Sequence, residues 1–553
     1  MKSKRFRRKG REAKAAALED VQKLLGDASP KRDLLLEYLH AVQDKYGCLD
    51  VQHLVALAEI MKIPQAEVYE VASFYAYFDI VSEAESPPPE ITVRICDSLT
   101  CSMFGAQNLL KQAEGKLNST IRVQRAPCMG RCDQAPVAAV GSSHVSRATM
   151  DSLELHVSGG SKGMLEVAVG QGQGLSKYLD DGGYQNLRAI QEGKHSNKDV
   201  LSTITESGLR GLGGAGFPTG TKWGLMQSKD NPLMAVNADE GEPGTFKDRH
   251  ILSTAPHQFL EGMLIAASVA SVTEIYIYLR AEYPDCYAIL QKELRAIQQA
   301  GLAGDIKIHL RRGAGAYICG EESAMLESLE GKRGEPRHKP PFPATKGLFG
   351  RPTLVNNVET LYWIPEILGN GSAWFKDKGR AGGAGLRLYS VSGRVADPGV
   401  KLAPVGTTAR ELIEDYSGGI SEGHVFKAYL PGGASGGLLP ASLADIPLDF
   451  GKLDEYGCFV GSGALIVLSD ADSIIDVNKN LMKFFEDESC GQCTPCRVGC
   501  GKMLELMDQS KWDEKLIEDL SGVMADASIC GLGQAAPTAL IKSFEFFRDD
   551  LPT

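Results

Sequence analysis

The sequence lacks features that would place it in several common protein classes. Its longest apolar run, near residues 262–272, is well short of the roughly 20 residues that a membrane-spanning helix needs. No apolar segment follows the basic N-terminus, so no secretory signal is predicted. The net charge of −11 gives no overall attraction for nucleic acid. We therefore predict a soluble, cytoplasmic protein that binds neither membranes nor nucleic acids.

The basic N-terminus differs from the rest of the chain. The first fourteen residues contain eight Lys or Arg and one Glu. Such a run is typical of a solvated, disordered tail, and a partner-docking arm or a targeting peptide is the alternative. The whole chain has 553 residues, which predicts three or more domains.

Hydrophobic patterns divide the rest of the chain into segments. Residues 31–80 have helical periodicity, and SPPPE at 86–90 ends it. A strand–helix–strand pattern follows, and glycine density rises after residue 159, as in a linker. Helices and strands alternate over 198–383, which indicates an α/β domain. A small β-rich domain is predicted over 386–470, and four amphipathic helices are predicted from residue 471 onward.

Thirteen cysteines in a chain without a secretory signal indicate metal or redox sites rather than disulfides. Cys96 and Cys101 follow one predicted strand, and Cys128 and Cys132 follow the next, so the four thiols could converge. Either zinc or a [2Fe–2S] cluster accepts four cysteines. The spacings differ from the CxxC pairs of zinc ribbons, and a second cysteine group is present. The pattern therefore favours iron–sulfur over zinc.

The second group is ESCGQCTPCRVGC at 488–500. Its Cys490, Cys493 and Cys496 would occupy three corners of a [4Fe–4S] cluster. Cys530 is favoured as the fourth ligand, because its neighbouring glycines let the backbone approach sulfur. Cys500 is the rival, but it lies one helical turn past Cys496, and its thiol is predicted to point away from the remaining corner. Metal binding would keep these thiols deprotonated and occupied.

A glycine-rich loop suggests a cofactor site. GLRGLGGAGFPTGTKW at 208–223 contains G-x-G-x-x-G, but it follows a predicted helix instead of the strand that a Rossmann loop requires. With Arg210 and Lys222, the loop suits the phosphate of a cofactor, and a flexible connecting loop is the alternative. NADEGEPG follows a short strand, and GAGAYICGEES links a strand to a helix. Together these segments favour a flavin and a nucleotide over solvated turns.

These motifs, with PRHKPPFPA and LVNNVET, resemble the NADH-binding flavoprotein subunit of respiratory complex I. CDSLTC…APCMGRC, with the helices before it, resembles the small [2Fe–2S] subunit that accompanies this flavoprotein. The resemblance covers nearly everything after residue 30. It implies a multidomain α/β fold with these segments: a basic disordered tail (1–30), a helical bundle (31–86), a thioredoxin-like [2Fe–2S] domain (87–160), a linker (161–197), a Rossmann-like FMN/NAD-binding domain (198–383), a small β-grasp domain (384–470) and a helical [4Fe–4S] domain (471–553), the last a four-helix bundle.

The resemblance also implies roles for individual residues. The sequence differs from many relatives at Leu212, where they carry Arg. The cysteine ligands would be Cys96, Cys101, Cys128 and Cys132 for [2Fe–2S], and Cys490, Cys493, Cys496 and Cys530 for [4Fe–4S]. FMN would contact Gly211, Gly213, Gly214, Gly216, Lys222, Asn237, Asp239, Glu240, Tyr317, Gly320, Glu321, Asn356, Asn357 and Thr360. NAD would contact Phe217, Glu242, Glu322, Lys339 and Phe342.

The fused arrangement most resembles the beta, or diaphorase, subunit of soluble NAD-dependent formate dehydrogenases. This implies a hetero-oligomer in which a Mo- or W-pterin iron–sulfur subunit oxidises formate. Its electrons would pass through [4Fe–4S] to FMN and then, as hydride, to NAD⁺. No side chain need act as acid or base, although Glu242 could gate the nicotinamide. The alternatives are the diaphorase of an NAD-reducing hydrogenase, a complex I-type NADH dehydrogenase, and a non-enzymatic zinc scaffold.

Overall fold

The computed structural model describes residues 10–26, 29–159 and 172–552. Its N-terminal domain is a small helical bundle with one two-stranded parallel sheet. Its elements are α1 (Ala15–Leu25), α2 (Leu35–Tyr46), β1 (Leu49–Asp50), α3 (Val51–Met61), α4 (Gln65–Phe74) and β2 (Ile80–Val81). Helices α2, α3 and α4 lie within the predicted helical segment 31–80, which also contains the short strand β1 and the start of β2.

The second domain contains the predicted strand–helix–strand unit. Its elements are β3 (Ile91–Cys96), α5 (Leu99–Met103), α6 (Ala106–Lys116), β4 (Ile121–Ala126), β5 (Ala138–Val140), β6 (Ser143–Val145) and α7 (Met150–Ser158). The sheet order is β4-β3-β5-β6, with β3 parallel to β4 and antiparallel to β5. Both cysteine pairs therefore follow neighbouring parallel strands, as the sequence predicts.

The third domain is built on a four-stranded parallel sheet of order β10-β7-β8-β9. The central strands β7 and β8 are almost wholly apolar and buried, because helices cover the sheet. The elements are α8 (Leu175–Asp180), α9 (Gln185–Gln191), α10 (Asn197–Glu206), α11 (Thr219–Gly224), β7 (Leu233–Ala238), α12 (Lys247–Thr254), α13 (Pro256–Val269), β8 (Glu274–Leu279), α14 (Pro284–Gln299), β9 (Lys307–Arg312), α15 (Glu322–Leu329), α16 (Pro343–Lys346), β10 (Thr353–Asn357), α17 (Val358–Tyr362), α18 (Ile364–Asn370) and α19 (Ser372–Lys376).

The fourth domain is a five-stranded mixed sheet of order β12-β11-β15-β13-β14 with one helix, which is the β-grasp arrangement expected. Its elements are β11 (Leu386–Gly393), β12 (Gly399–Pro404), α20 (Ala409–Glu414), β13 (Phe426–Leu430), β14 (Leu439–Pro440) and β15 (Ala464–Ser469). The C-terminal domain contains α21 (Ile474–Asp487), α22 (Thr494–Met507), α23 (Glu514–Ala527), α24 (Gly531–Ala535) and α25 (Thr538–Phe546). Four of these helices are the ones predicted, and α24 is a short addition.

Two segment predictions need correction. Helix α1 lies inside the predicted disordered tail and buries Ala17 and Val21, since its apolar side faces α3. Helices α8 and α9 lie inside the predicted linker and pack against α13. The parts of these predictions at 1–9, 27–28 and 160–171 lie outside the described residues. Within the described part of the chain, no helix is both long and apolar enough to cross a membrane.

Candidate flavin, nucleotide and iron–sulfur site

Predicted site residues follow the carboxyl ends of the parallel strands in the third domain. Because neighbouring parallel strands end at the same edge, their following residues lie side by side, and ligands commonly bind there. We call this the carboxyl edge of the sheet. It brings together Asn356 and Asn357 at the end of β10, Asn237, Asp239 and Glu240 at the end of β7, Arg280 after β8, and the turn at 313–317 after β9.

The glycine loop at 208–216 connects α10 to α11 and is fixed at its base. Gly211 N donates to Phe217 O at 2.8 Å, which closes the loop on itself. Leu212 N donates to Thr360 Oγ1 at 2.9 Å, so the loop is bonded to α17. A Cβ on Gly213 would lie 2.9 Å from Asn357 Cβ, so the loop packs closely on the carboxyl edge. A Cβ on Gly216 would lie 2.5 Å from Phe450 Cδ1, so this position also requires glycine.

Three observations fit a bound flavin phosphate and ring. A Cβ on Gly214 would meet no protein atom within 4 Å, so the middle of the loop borders open space. Lys222 donates to Val355 O at 3.2 Å, and burial lowers its pKa. A bound phosphate would compensate that half-buried cation. Asp239 Oδ2 is buried without a hydrogen-bond partner, and burial raises its pKa well above the usual range. A ring N–H would satisfy this oxygen.

Glu242 is held from both sides. Tyr317 Oη donates to Glu242 Oε2, and the backbone N–H of Ser435 donates to Glu242 Oε1 at 2.8 Å. Burial raises the Glu242 pKa. Ser435, in the PGGASGG loop of the fourth domain, is a residue that the sequence analysis missed. The role of Glu242 as a nicotinamide gate stays a prediction.

Two of the predicted NAD residues, Glu322 and Lys339, lie at the start of α15. Glu321 caps this helix by accepting hydrogen bonds from the backbone N–H groups of the first turn. Lys339 Nζ lies 2.7 Å from Glu321 Oε1 and 3.0 Å from Glu322 Oε1. Phe217 and Phe342 are 45% and 57% exposed. Exposed aromatic rings of this kind suit stacking against a nucleotide.

A buried charge network beneath the glycine loop was not found from sequence. Lys247 Nζ lies 2.7 Å from Asp248 Oδ1 and 3.1 Å from Glu359 Oε2, and all three side chains are almost fully buried. Asn357 Nδ2 donates to Asp248 Oδ2 at 2.6 Å, which connects the network to the carboxyl edge. Asp248 N also donates to Glu240 Oε1 at 2.8 Å. Burial, together with the Asp248 carboxylate, raises the Glu240 pKa to about 7.

Replacement of Lys247 by methionine is expected to destabilise the third domain strongly. It would leave two carboxylates buried without their cation, and breaking a buried ion pair costs about 3–5 kcal/mol. The measurement is the apparent thermal midpoint of the purified chain. Lys479→Met is the matched control, because its partner Asp508 is exposed and such pairs are worth about 0–1 kcal/mol. Equal midpoints for the two variants would contradict the expectation.

The first cysteine set is brought together in the second domain. All four thiols are buried, with Cys96 at the end of β3, Cys101 in α5, and Cys128 and Cys132 in a loop after β4. The Cys128 and Cys132 sulfurs lie 3.4 Å apart. Hydrogen bonds from Cys132 and Cys96 lower the Cys128 pKa well below its usual range, while contact with the Cys101 and Cys128 sulfurs raises that of Cys96. We call residues 128–133 the cluster loop.

Within the described residues, no three His, Cys, Asp or Glu side chains converge on a point that would hold a single metal ion. A [2Fe–2S] cluster requires a different arrangement, in which each iron is coordinated by two of the four thiolates. Pairs of neighbouring sulfurs such as Cys128 and Cys132 meet this requirement. The four cysteines therefore fit such a cluster, and metal binding would replace their shared protons.

The second cysteine set lies at two helix N-termini. Cys493 is the N-cap of α22 and Cys530 is the N-cap of α24. The positive end of a helix stabilises a thiolate. Burial raises the Cys530 pKa to about 11, although the backbone N–H groups of the next turn oppose this shift. A Cβ on Gly533 would lie 2.8 Å from Cys496 Cβ, so the SICGLG turn packs directly on the CxxCxxC segment.

Cys500, the rival ligand, has a different environment. It is fully buried in the helical core, one turn after Cys496. A hydrogen bond from Cys500 lowers the Cys496 pKa to about 7. Cys500 thus supports Cys496, whereas Cys530 lies in the turn that packs over the CxxCxxC segment. The choice of Cys530 as the fourth ligand stays a prediction.

Both cysteine-bearing domains contact the carboxyl edge. On one side, Arg280 Nη2 donates to Cys128 O at 2.6 Å, which joins the end of β8 to the cluster loop. On the other side, Tyr317 N donates to Glu488 Oε2 at 2.9 Å, and the Tyr317 and Phe484 rings lie 5.0 Å apart. Glu488 is two residues before Cys490. The candidate flavin site therefore borders both cysteine-bearing domains.

The fold and the site define an NADH dehydrogenase-type flavoprotein oxidoreductase with FMN and iron–sulfur centres. Three family profiles match the chain: the Nuo51 FMN-binding domain over 204–366, the thioredoxin-like [2Fe–2S] ferredoxin over 21–158, and the NADH-ubiquinone oxidoreductase-F iron–sulfur binding region over 476–553. The chain belongs to the family of F-type subunits of NADH-quinone oxidoreductase. The predicted FMN, [2Fe–2S] and [4Fe–4S] cofactors are confirmed by these profiles.

The relatives differ in how much of the chain they match. The F 2 subunit of the NADH-quinone oxidoreductase of Rhizobium meliloti (strain 1021) is 40% identical over 399 residues, 69% of this chain and 94% of that protein. NADP-reducing hydrogenase subunit HndC of Solidesulfovibrio fructosivorans is 38% identical over 394 residues, 68% of this chain and 80% of that one. A chain in the crystal structure of an NAD⁺-reducing [NiFe]-hydrogenase in the H₂-reduced state superposes with a TM-score of 0.83 at 31% identity, covering 94% of this chain and 93% of that chain.

Proposed function

We propose that this chain is the NAD⁺-reducing diaphorase subunit of a hetero-oligomeric oxidoreductase whose partner subunit supplies the electrons. The observation that carries the proposal is that the carboxyl edge contacts both cysteine-bearing domains. Such a site can collect single electrons and deliver them in pairs. The cytoplasmic location stays a prediction.

The chain's own residues bind and orient in this proposal. The glycine loop and Lys222 hold the flavin phosphate, and Asp239 accepts a hydrogen bond from the ring. Phe217 and Phe342 stack against the nucleotide, and Glu242 is fixed by Tyr317 and the fourth domain. When bound, FMN supplies hydride exchange with nicotinamide and one-electron exchange with iron–sulfur centres. No side chain is assigned a proton-transfer role.

The proposal predicts the composition of the anaerobically purified chain. We expect about one FMN and about six iron atoms per chain, the sum of a [2Fe–2S] and a [4Fe–4S] centre, with NADH-dependent ferricyanide reduction. The measurements are flavin release on denaturation, metal analysis and the dye assay. A colourless, zinc-containing protein without flavin would instead support the zinc scaffold.

The identity of the partner is a finer proposal. The [NiFe]-hydrogenase chain matches 94% of this chain, including the two N-terminal domains, and this favours a hydrogenase-type partner. The formate-oxidising Mo- or W-pterin subunit is supported only by the resemblance of the sequence motifs. A pull-down of the tagged chain followed by metal analysis separates the two, since nickel indicates the first and molybdenum or tungsten the second.

A further inference from the structure

Three side chains of the third domain hold the cluster loop. Arg280 Nη2 donates to Cys128 O at 2.6 Å, and Arg249 Nε donates to Gly130 O at 2.8 Å. Tyr283 lies directly against Gly130, because a Cβ at this position would be 2.1 Å from Tyr283 Oη. Gly130 also has φ +64°, so the loop can take this position only with glycine.

The same three residues bind Glu240 at the end of β7. Arg280 Nη1 donates to Glu240 O at 2.5 Å. Arg249 N donates to Glu240 Oε2 at 3.1 Å, and Tyr283 Oη donates to the same oxygen at 2.8 Å. Each residue therefore contacts the cluster loop on one side and a predicted flavin-binding residue on the other.

Arg280 differs from Arg249 and Tyr283 because its guanidinium alone bonds backbone carbonyls on both sides, those of Cys128 and Glu240. It is 5% exposed, and its charge is screened little by water. Its nearest anionic partner is Glu282, whose Oε2 accepts from Arg280 Nε at 3.1 Å and whose side chain is 21% exposed. The guanidinium also lies 5.0 Å from the centre of the Tyr283 ring, which fixes its plane.

We propose that Arg280 is a positioning residue of the [2Fe–2S] centre. Its guanidinium clamps the cluster loop to the end of β7, and its positive charge favours the reduced cluster. The proposal rests on the ligand assignment given under the proposed function. Reduction adds one negative charge to the centre. A fixed, buried cation bonded to the peptide of a ligand residue stabilises that charge. Lysine could keep the charge but cannot present the planar fork that reaches both carbonyls.

The test is an EPR-monitored redox titration of the full-length Arg280→Met protein containing its cofactors. We expect the reduced-to-oxidised ratio of the [2Fe–2S] centre at a fixed solution potential to fall about tenfold, which is 59 mV for one electron. Arg280→Lys is expected to retain most of the ratio but to show an altered spectrum, because the loop is no longer clamped. Arg280→Met with full FMN and iron content and a ratio within twofold of wild type would overturn the proposal.

Arg394→Met is the matched control. Arg394 lies in the fourth domain, and its Nη2 donates to Met103 O of the second domain at 2.9 Å. Arg394 also pairs with Asp472, but it does not bond the cluster loop. Its [2Fe–2S] ratio is expected to stay within twofold of wild type. A tenfold fall in this variant would show that general domain docking, and not Arg280, sets the ratio.

Glu282→Gln keeps the proposal testable if Arg280→Met does not fold. Removing the anion beside Arg280 is expected to raise the reduced-to-oxidised ratio, opposite in sign to Arg280→Met. An unchanged or lower ratio overturns the proposal. Absence of any [2Fe–2S] signal from the wild-type chain is a separate result, which would contradict the ligand assignment instead.

Discussion

Replacement of Gly214 by alanine is expected to weaken FMN binding while leaving the protein folded. The added Cβ would meet no protein atom within 4 Å, so the chain itself tolerates it. It would instead occupy the space that the flavin phosphate needs. Forcing a methyl group into a filled site costs about 1–3 kcal/mol, which corresponds to roughly a fivefold to 150-fold loss of affinity. NADH-dependent dye reduction should fall in proportion to the flavin lost.

The measurement is FMN affinity by fluorescence titration of flavin-depleted protein, together with iron content and thermal midpoint. Gly224→Ala is the control, since a Cβ at this position near the end of α11 also meets nothing within 4 Å, and it lies outside the loop. It is expected to match the wild type. Full flavin affinity in Gly214→Ala would show that the phosphate does not occupy this part of the loop.

Replacement of Cys530 by alanine is expected to remove the [4Fe–4S] centre, whereas alanine at Cys500 is not. Cys530 lies at a helix N-terminus in the turn that packs on Cys496, and its loss would leave one iron without a protein ligand. Cys500 only donates a hydrogen bond to Cys496. Iron should therefore fall from about six to about two atoms per chain in Cys530→Ala, and electron delivery from the partner to NAD⁺ should stop.

Low-temperature EPR spectra and iron analysis of both variants check this expectation. FMN content serves as the internal reference, because the flavin site is in a different domain and should remain filled. Loss of the [4Fe–4S] signal in Cys500→Ala with its retention in Cys530→Ala would reverse the assignment. Loss in both variants would indicate that the helical domain depends on every one of these thiols to fold.

Local patterns were enough to predict the strands and helices that present the cysteines. ITVRIC alternates and ends at Cys96, and the structure has a strand from Ile91 to Cys96. The four C-terminal helices likewise followed from their apolar periodicity. The tail and linker predictions were wrong at α1, α8 and α9. Composition suggested disorder or a linker there, but neighbouring helices supply the apolar surface that makes these short helices stable.

Contacts between distant segments were beyond the reach of sequence patterns. Ser435 holds Glu242 from 193 positions away, and Arg280 reaches the cluster loop across 152. Neither Ser435 nor Arg280 lies in a local sequence motif that indicates which distant residue it contacts. The buried group of Lys247, Asp248 and Glu359 was missed for the same reason, because a charged residue in a sequence normally indicates exposure.

The sequence by itself favoured iron–sulfur centres and a flavin, because cysteine spacing and glycine loops are local properties, and the resemblance of its motifs to a known family implied the particular cofactors. Only the tertiary structure decided how the cofactor sites are joined. The parallel sheet aligns four strand ends at one edge, and the domains before and after it dock against that edge through contacts of the buried Arg280 and the half-buried Tyr317. Such contacts depend on the packing of whole domains, which no single segment encodes.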